Sequence, residues 1–381
     1  MPKINPDILR WARESAGLSL EDAARALAVT EARLAGIEAG EIDPTRRQLN
    51  NMAAKYRRSL LTFYLPGPPA PSARTHDFRT LPHREPDTEA RVAALVREIK
   101  VRQGLVVDAL EDLEEDKALP FVGSVSLDQG PEQIAKTIID ALQFNLAEYR
   151  RQRTVEDAFK VLREAVERVG VFVVLMGNLG HHTTNISART FRGMALANPV
   201  APFIVINEND SRAAWSFTLI HELAHIFLGE SAISGYDSEE RVEKVCDEVA
   251  ARFLLHPDEL QEIPAELQFD ELVAAIGEFA GPRRVSRKMV AYNLLDCGRI
   301  SWETYRRLSD RFDAERQEAA KASGTGAPDY YVVRRHRIGS GLNGLVERLV
   351  ASGVMNSTRA GRVLGVKPTA VGRMADNNRA A

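Results

Sequence analysis

The stretch that decides the fold of this 381-residue chain is WSFTLIHELAHIFLG, residues 215–229. It places His221 and His225 four residues apart, with Glu222 directly beside the first histidine. Residues four apart lie on the same face of a helix, so both imidazole rings can reach one cation. The apolar residues around the histidines predict an amphipathic helix that ends at Gly229.

The pattern His–Glu–x–x–His on a helix is the zinc-binding motif of metallopeptidases, in which the glutamate acts as general base. A helix that merely carries two exposed histidines is the alternative interpretation. With 8 histidines in 381 residues, a random match somewhere in the chain has roughly a one per cent chance. We therefore predict a Zn2+ site at His221 and His225, with Glu222 as the catalytic residue that accepts a proton from the attacking water.

A tetrahedral zinc ion needs a third protein ligand besides two histidines. Residues 238–257 have apolar side chains at helical spacing and end at a proline, so they predict a second helix. Glu243 and Asp247 share a face of it. We assign Glu243 as the third ligand and Asp247 as the group that holds the outer nitrogen of a ligand histidine. The competing side chains are interpreted as solvated charges (Glu239, Glu240, Glu248) or as core (Cys246).

Two motifs surround these residues, SRxxWxFTLIHELAH from Ser211 and ExxCDxxAxxFLLxP from Glu243. Together they resemble the ImmA/IrrE family of metallopeptidases, over about residues 74–315. The family usually has Glu-x-x-Ala-Asn at the second motif, whereas this chain has Cys246 and Asp247, and Asp247 follows the Glu-x-x-x-Asp pattern of the wider gluzincin group. The resemblance implies a zincin-like α+β fold and zinc-dependent cleavage of Xre-type repressor proteins.

The remaining pattern of this region predicts many helices and a small sheet. One of the strands, 191–197 or 202–207, is expected to lie at the edge beside the zinc helix and to hold an extended substrate. Apolar β-branched runs predict strands at 169–177, 191–197 and 202–207. Helices are predicted at 88–116, 131–144, 154–168 and 267–279, with a closing helical segment at 285–295.

The N-terminal residues predict a separate, all-α domain. Residues 18–40 contain two helices joined by a short Ala28-Val29 corner, which is helix-turn-helix spacing. Ser19 and Thr30 are the expected N-caps, and a further helix is expected over 44–56. The element Ile37-Glu38-Ala39-Gly40 resembles the end of the last motif helix in Xre-type repressor domains.

Binding of double-stranded operator DNA is the functional interpretation of this domain, and a helical module that binds only protein is the alternative. Ten Lys/Arg against eight Asp/Glu in residues 1–65 give a net charge of +2, which is a weak attraction for phosphates. A homodimer is therefore expected to tighten binding. The expected base-reading residues are Thr30, Glu31 and Arg33, and the expected phosphate-binding residues are Arg46 and Arg47 together with Arg57 and Arg58.

The chain is divided by composition into four parts: a domain over 1–65, a proline-rich linker over 66–87, a peptidase domain over 88–320, and a basic helical region over 329–381. The last region has nine Lys/Arg against three Asp/Glu, a net charge of +6. The pattern of residues 356–371 predicts two helices joined by a Gly-Val corner. This predicts a second helix-turn-helix or, alternatively, a cap on the peptidase domain; a further interpretation is a tail that binds single-stranded DNA.

Tyr236 and His182, both in loops, are the candidate donors for the oxyanion of the reaction. Cys246 and Cys297 both fall on apolar helix stripes, which favours reduced thiols and a cytoplasmic location. We find no signal peptide and no apolar span of ~20 residues, so no membrane partner is expected.

The combined expectation is a transcriptional regulator with zinc-dependent endopeptidase activity. It would cleave a repressor-type protein, or itself, in response to a stress or mobile-element signal. The alternative is a non-proteolytic DNA-binding repressor or antitoxin that uses the peptidase fold as a sensor module.

Overall fold

The computed structural model describes residues 4–56, 58–68, 86–180, 184–230, 232–233, 240–322 and 329–375. The chain divides into two compact units. One comprises residues 1–99 with 178–186, and the other comprises residues 100–177 with 187–381. Most of the predicted linker, residues 69–85, lies outside the described residues.

The first unit is helical because its short amphipathic segments are separated by strong capping residues. The Ser19 hydroxyl accepts a hydrogen bond from the Asp22 N–H at 3.0 Å, and the Thr30 hydroxyl accepts one from the Arg33 N–H at 3.3 Å. Both predicted N-caps are thus confirmed. The helices are α1 (Pro6–Glu14), α2 (Leu20–Leu27), α3 (Glu31–Glu38) and α4 (Arg46–Lys55), with a 3-10 helix at Leu60–Tyr64. A further helix, α5 (Pro86–Glu111), has residues in both units.

A buried ion pair lies inside this helical unit. The Arg13 guanidinium donates from Nε and Nη2 to the two carboxylate oxygens of Glu38, at 2.7 and 2.9 Å. Glu38 is only 4% exposed, and α1 and α3 are tied together by this bidentate contact. Arg13 also reaches Glu14 at 3.4 Å, but that carboxylate is largely exposed.

The second unit contains the remaining helices. They are α6 (Gly130–Leu142), α7 (Leu146–Arg150), α8 (Val155–Arg168), α9 (Arg212–Leu228), α10 (Glu240–Leu254), α11 (Phe269–Arg283), α12 (Arg287–Asp296), α13 (Trp302–Ala322), α14 (Tyr330–Ile338), α15 (Ser340–Ala351), α16 (Ser357–Leu364) and α17 (Val371–Ala375). Short 3-10 helices span Leu127–Gln129, Pro257–Glu262 and Pro368–Ala370. The predicted fold class, mainly α with a small sheet, is confirmed.

The sheet has four short strands in the order β1-β3-β2-β4. β3 is parallel to β1 and antiparallel to β2, and β2 also pairs with β4 at Met194 and Ala195. The expectation that 191–197 or 202–207 is an edge strand is therefore wrong, because β2 and β3 each have a hydrogen-bonded neighbour on both sides. The strands are β1 (Phe172–Leu175), β2 (Gly193–Leu196), β3 (Phe203–Ile206) and β4 (Ala232–Ile233).

Helix α9 is the central element of the second unit. It packs on α10, on α8 and on strands β2 and β3. Its residues from Trp215 to Phe227 are almost all buried, because neighbours cover it on several sides. It ends at Gly229, whose φ of 77° is in the left-handed region that glycine adopts without steric cost.

The C-terminal helices are anchored to this core by a buried ion pair, Arg163–Glu167, at 2.9 Å. Arg163 donates to the carbonyl of His336 at 2.6 Å and also to that of Val173 in β1. Glu167 accepts hydrogen bonds from the Ser340 hydroxyl and the Gly341 N–H. Helices α14 and α15 consequently pack on α8 and β1.

The two cysteines differ in environment. Cys246 is buried in the core, as expected, but Cys297 is exposed, so its assignment to an apolar stripe is wrong. The reason is positional, since Cys297 is the C-cap residue of α12, where the helix leaves the core. Among the described residues, the helices are all too short or too polar to cross a membrane.

We predict that Glu38→Ala destabilises the first unit by about 3 kcal/mol, because it leaves the Arg13 guanidinium buried without its counter-charge. The measurement is hydrogen–deuterium exchange of the α1–α3 amides in the full chain. Glu14→Ala is the matched control and should change the opening free energy by less than about 0.5 kcal/mol. Equal protection in the two variants would contradict a stabilising role for the buried pair.

Candidate metal centre

The polar side chains of the motif on helix α9 are buried in the core. His221, Glu222 and His225 are respectively 4%, 0% and 0% exposed. Burial of charged or polar groups is costly unless they have partners, and the neighbouring helix α10 supplies carboxylates from Glu243 and Asp247. The predicted residues from both helices are thus brought together.

The distances between the three predicted ligands suit one small cation. The Nε2 atoms of His221 and His225 lie 3.2 Å apart. The Glu243 carboxylate oxygens lie 3.3 Å from His221 Nε2 and 3.2 Å from His225 Nε2. Tetrahedral ligands placed 2.0–2.1 Å from a zinc ion are about 3.3 Å from one another. The donor set and its spacing therefore fit a metal ion of zinc's size.

Asp247 contacts the opposite nitrogen of the first histidine. Its Oδ1 lies 2.9 Å from His221 Nδ1, so the carboxylate fixes the orientation of the ring and leaves Nε2 directed at Glu243. Burial lowers the pKa of His221, but the hydrogen bonds with Asp247 and Glu243 outweigh it and raise the pKa to about 10. A cation at Nε2 competes with the proton that these carboxylates otherwise favour.

Glu222 lies against the backbone of β2. A Cβ atom built on Gly193 would come within 2.5 Å of the Glu222 carboxylate and within 2.6 Å of the Thr218 methyl. Only a residue without a side chain lets the strand approach α9 this closely. Gly193 is a residue of the candidate site that sequence reasoning missed, since a glycine inside an apolar run gives no sign of which helix it faces.

A cleft of about 450 Å3 opens beside the candidate metal ligands. Two basic side chains, Arg189 and Arg192, are exposed at this cleft, and Arg192 lies 4.0 Å from Asp210. Phe191 and Phe217 add apolar surface. The lining residues are Ala188, Arg189, Thr190, Phe191, Arg192, Phe217, Thr218, His221, Glu243 and Asp247.

Comparison with known protein families agrees with this geometry. Residues 176–295 match an IrrE N-terminal-like domain. It is a metallopeptidase-type domain and contains the histidines and both carboxylates of the candidate centre. Residues 7–60 match a helix-turn-helix domain, which indicates DNA-binding regulation. No curated protein and no solved structure matched the chain.

Beyond the predicted set, Tyr292 on α12 lies within the matched region, and its ring centre is 6.1 Å from that of Tyr305 on α13. Burial and the negative charge of Asp247 raise the pKa of Tyr292 to about 12, and burial raises the pKa of Tyr305 as well. Both phenols stay protonated at neutral pH and can donate hydrogen bonds. The predicted oxyanion donors, Tyr236 and His182, lie outside the described residues.

The competing ligands have other roles or are not described. Glu248 points to Arg252, with a contact of 3.3 Å. Cys246 is buried, and burial together with nearby carboxylates raises the pKa of its thiol, which disfavours the thiolate needed for metal binding. Glu239 and the side chain of Glu240 lie outside the described residues.

The predicted base-reading residues and two of the predicted phosphate contacts lie on the surface of the helix-turn-helix domain. Thr30 is the N-cap of α3, Glu31 and Arg33 lie in its first turn, and Arg46 and Arg47 begin α4. All five are exposed. The second helix of such a motif enters the major groove, and α3 occupies that position here.

The assignment of Arg58 as a phosphate contact is wrong, because Arg58 is half-buried, donates to the Ser15 hydroxyl at 2.7 Å and lies over the ring of Trp11. Arg57 lies outside the described residues.

We predict that the purified chain binds about one divalent cation, and that Glu243→Ala loses it. Glu248→Ala, on the same helix, is the matched control and should retain the metal. Asp247→Ala should weaken metal affinity 10- to 100-fold, because His221 loses the group that orients it. Elemental analysis and competition with a chelator measure these effects. Full metal content in Glu243→Ala would remove that residue from the ligand set.

Proposed function

We propose that this chain is a DNA-binding regulator whose IrrE N-terminal-like domain is a zinc-dependent endopeptidase. The observation that carries the proposal is the arrangement of three ligand groups, in which the two Nε2 atoms lie 3.2 Å apart and each lies 3.2–3.3 Å from an oxygen of Glu243. The buried Glu222 carboxylate acts electrostatically on His221. His221, His225 and Glu243 would hold the zinc ion. Two nitrogen ligands and one carboxylate leave a fourth tetrahedral position for the reactants, which is the arrangement of catalytic zinc sites.

The ion supplies Lewis acidity, which polarises a peptide carbonyl and activates water. Glu222 takes up the proton from the attacking water and returns it to the leaving amine. Its carboxylate suits this role because it is buried beside His221 and packs against Gly193 and Thr218, which restrict its movement. The hydroxyl of Tyr292 is proposed as a hydrogen-bond donor that stabilises negative charge on the substrate oxygen.

The cleft favours an extended polypeptide as substrate. It runs beside residues 188–192, which lead directly into β2, and its phenylalanines can contact apolar side chains. Arg189 and Arg192 favour acidic residues or a carboxylate near the cleaved bond. We propose a repressor-type protein as the substrate, or the linker over 66–87 of the chain itself, and operator DNA as the ligand of the helix-turn-helix domain of a dimer.

The decisive experiment compares wild type with Glu222→Gln in the presence of zinc and a purified helix-turn-helix repressor. We expect wild type to produce fragments and Glu222→Gln to reduce the rate at least 1000-fold while metal content stays unchanged. Glu164→Gln, a carboxylate on α8 outside the cleft, is the control. Fragments are identified by mass spectrometry, which also detects cleavage within 66–87. If the repressor and the wild-type chain both stay intact with zinc bound, the non-proteolytic regulator is the better description.

We further predict that Gly193→Ala lowers kcat/KM for the cleavage by about 100-fold, because the new methyl group displaces the Glu222 carboxylate by about 1 Å. The metal content should not change, since the three ligands come from α9 and α10. Gly104→Ala is the control, because no atom lies within 4 Å of a Cβ at that position. Unchanged cleavage in Gly193→Ala would show that Glu222 is not held by this strand.

A further inference from the structure

The C-terminal helices repeat the backbone of the N-terminal helix-turn-helix with a constant offset of 337 residues. Helices α2 and α16 both have eight residues. Each is followed by one residue in the left-handed conformation, Ala28 with φ 55° and ψ 45° and Gly365 with φ 64° and ψ 35°. Two residues later, Thr30 and Lys367 are both extended, with ψ of 151° and 147°, and begin the next helical segment.

The same hydrogen bonds close both corners. The Val29 N–H donates to the Ala24 carbonyl at 3.0 Å, and the Val366 N–H donates to the Gly361 carbonyl at 2.9 Å. The same correspondence holds at the ends of the preceding helices, α1 and α15. There, the Ser15 hydroxyl donates to the Ala12 carbonyl at 3.1 Å, and the Ser352 hydroxyl donates to the Leu349 carbonyl at 3.2 Å.

The buried positions of the two motifs also correspond. Ala23, Leu34 and Ile37 form the interior of the first motif, and each is at most 1% exposed. At the offset of 337 stand Ala360, Val371 and Met374, which are also buried. The helix α15, which precedes the second motif, supplies Val346 and Leu349 where α1 supplies Leu9 and Ala12.

The surfaces of the two motifs differ in charge. On α2, Arg25 is paired with Glu21 at 2.6 Å and with Asp22 at 3.2 Å, so its charge is largely compensated. The equivalents of these three residues on α16 are Arg362, Thr358 and Arg359. Residues 348–375 contain five basic residues and no acidic one. Four of the five are exposed on the second motif: Arg359, Arg362, Lys367 and Arg373.

We propose that residues 340–375 form a second helix-turn-helix module that binds duplex DNA. The first helix of such a motif crosses the phosphate backbone, and α16 carries Arg359 and Arg362 one turn apart for that contact. The helical segment 368–375 then occupies the groove, with Lys367 at its start. The anchoring of α14 and α15 to α8 and β1 leaves these basic side chains exposed.

The chemistry of the surface favours a duplex over a single strand. Proteins that bind single-stranded nucleic acid stack the bases on aromatic side chains. Residues 352–375 contain no aromatic residue, and Tyr331 on the adjoining helix α14 accepts a hydrogen bond from Arg373 at 3.4 Å. Basic side chains on a helix-turn-helix instead suit the regularly spaced phosphates of a double helix.

The test uses the full chain with Arg33→Ala, Arg46→Ala and Arg47→Ala, which weaken the proposed contacts of the first motif. Into this background we introduce Arg359→Ala, Arg362→Ala and Lys367→Ala. Affinity for a duplex of random sequence is measured between about 0.05 and 0.2 M salt. We expect the salt dependence, log K against log salt concentration, to become shallower by roughly 3 and the affinity to fall at least about tenfold.

The matched control carries Lys117→Ala, Lys136→Ala and Lys160→Ala in the same background. It has the same net charge, and its three lysines are also exposed. Equal affinity and salt dependence in the two triple variants would overturn the proposal, because only overall charge would then matter. A loss confined to a single-stranded oligonucleotide would also overturn it. Circular dichroism of both variants checks that the helices are intact.

Discussion

The close approach of α9 and α10 at His221 is the contact on which the second unit depends. The ring of His221 uses both nitrogens at once, with Glu243 at Nε2 and Asp247 at Nδ1. It therefore cannot rotate without losing a carboxylate partner. Since α9 also packs on the sheet and on α8, the position of this one ring sets the relation between the helices and the candidate metal centre.

Burial of these polar side chains costs free energy in the folded chain. Two imidazoles and the Glu222 carboxylate lie inside an apolar core, where an uncompensated charge costs several kcal/mol. A cation held between the two Nε2 atoms and Glu243 offsets that cost, and the surrounding core keeps the ligands from spreading apart. The same reasoning applies to Gly193, because the strand approaches Glu222 only where a side chain is missing. The geometry of the candidate site and the geometry of the backbone therefore depend on each other.

The sequence predicted the centre more fully than it predicted the sheet. Spacing alone placed His221, His225 and Glu243, because helical periodicity converts positions in sequence into positions on a face. The order of the strands could not be found in this way. All residues of β1, β2 and β3 are buried, so no alternation of polar and apolar residues distinguishes a central strand from an edge strand. Tyr292 was missed for a related reason, since its nearness to Asp247 arises from the packing of α12 against distant segments.

The helix-turn-helix of the first unit and the backbone that repeats it among the C-terminal helices show how few residues specify this conformation. Between residues 6–37 and their equivalents at 343–374 only five positions are identical, yet the corner conformation and its hydrogen bonds are the same. The shared requirements are a small residue on the first helix, a left-handed residue at the corner, and apolar residues that bury the second helix. Exposed positions do not have to meet these requirements. Arg25 on α2 is therefore paired with acidic side chains, whereas Arg359 and Arg362 on α16 have no ion pair among the described residues. Fold and nucleic-acid affinity are thus set by different residues of the same motif, and a shared fold does not oblige the two motifs to bind alike.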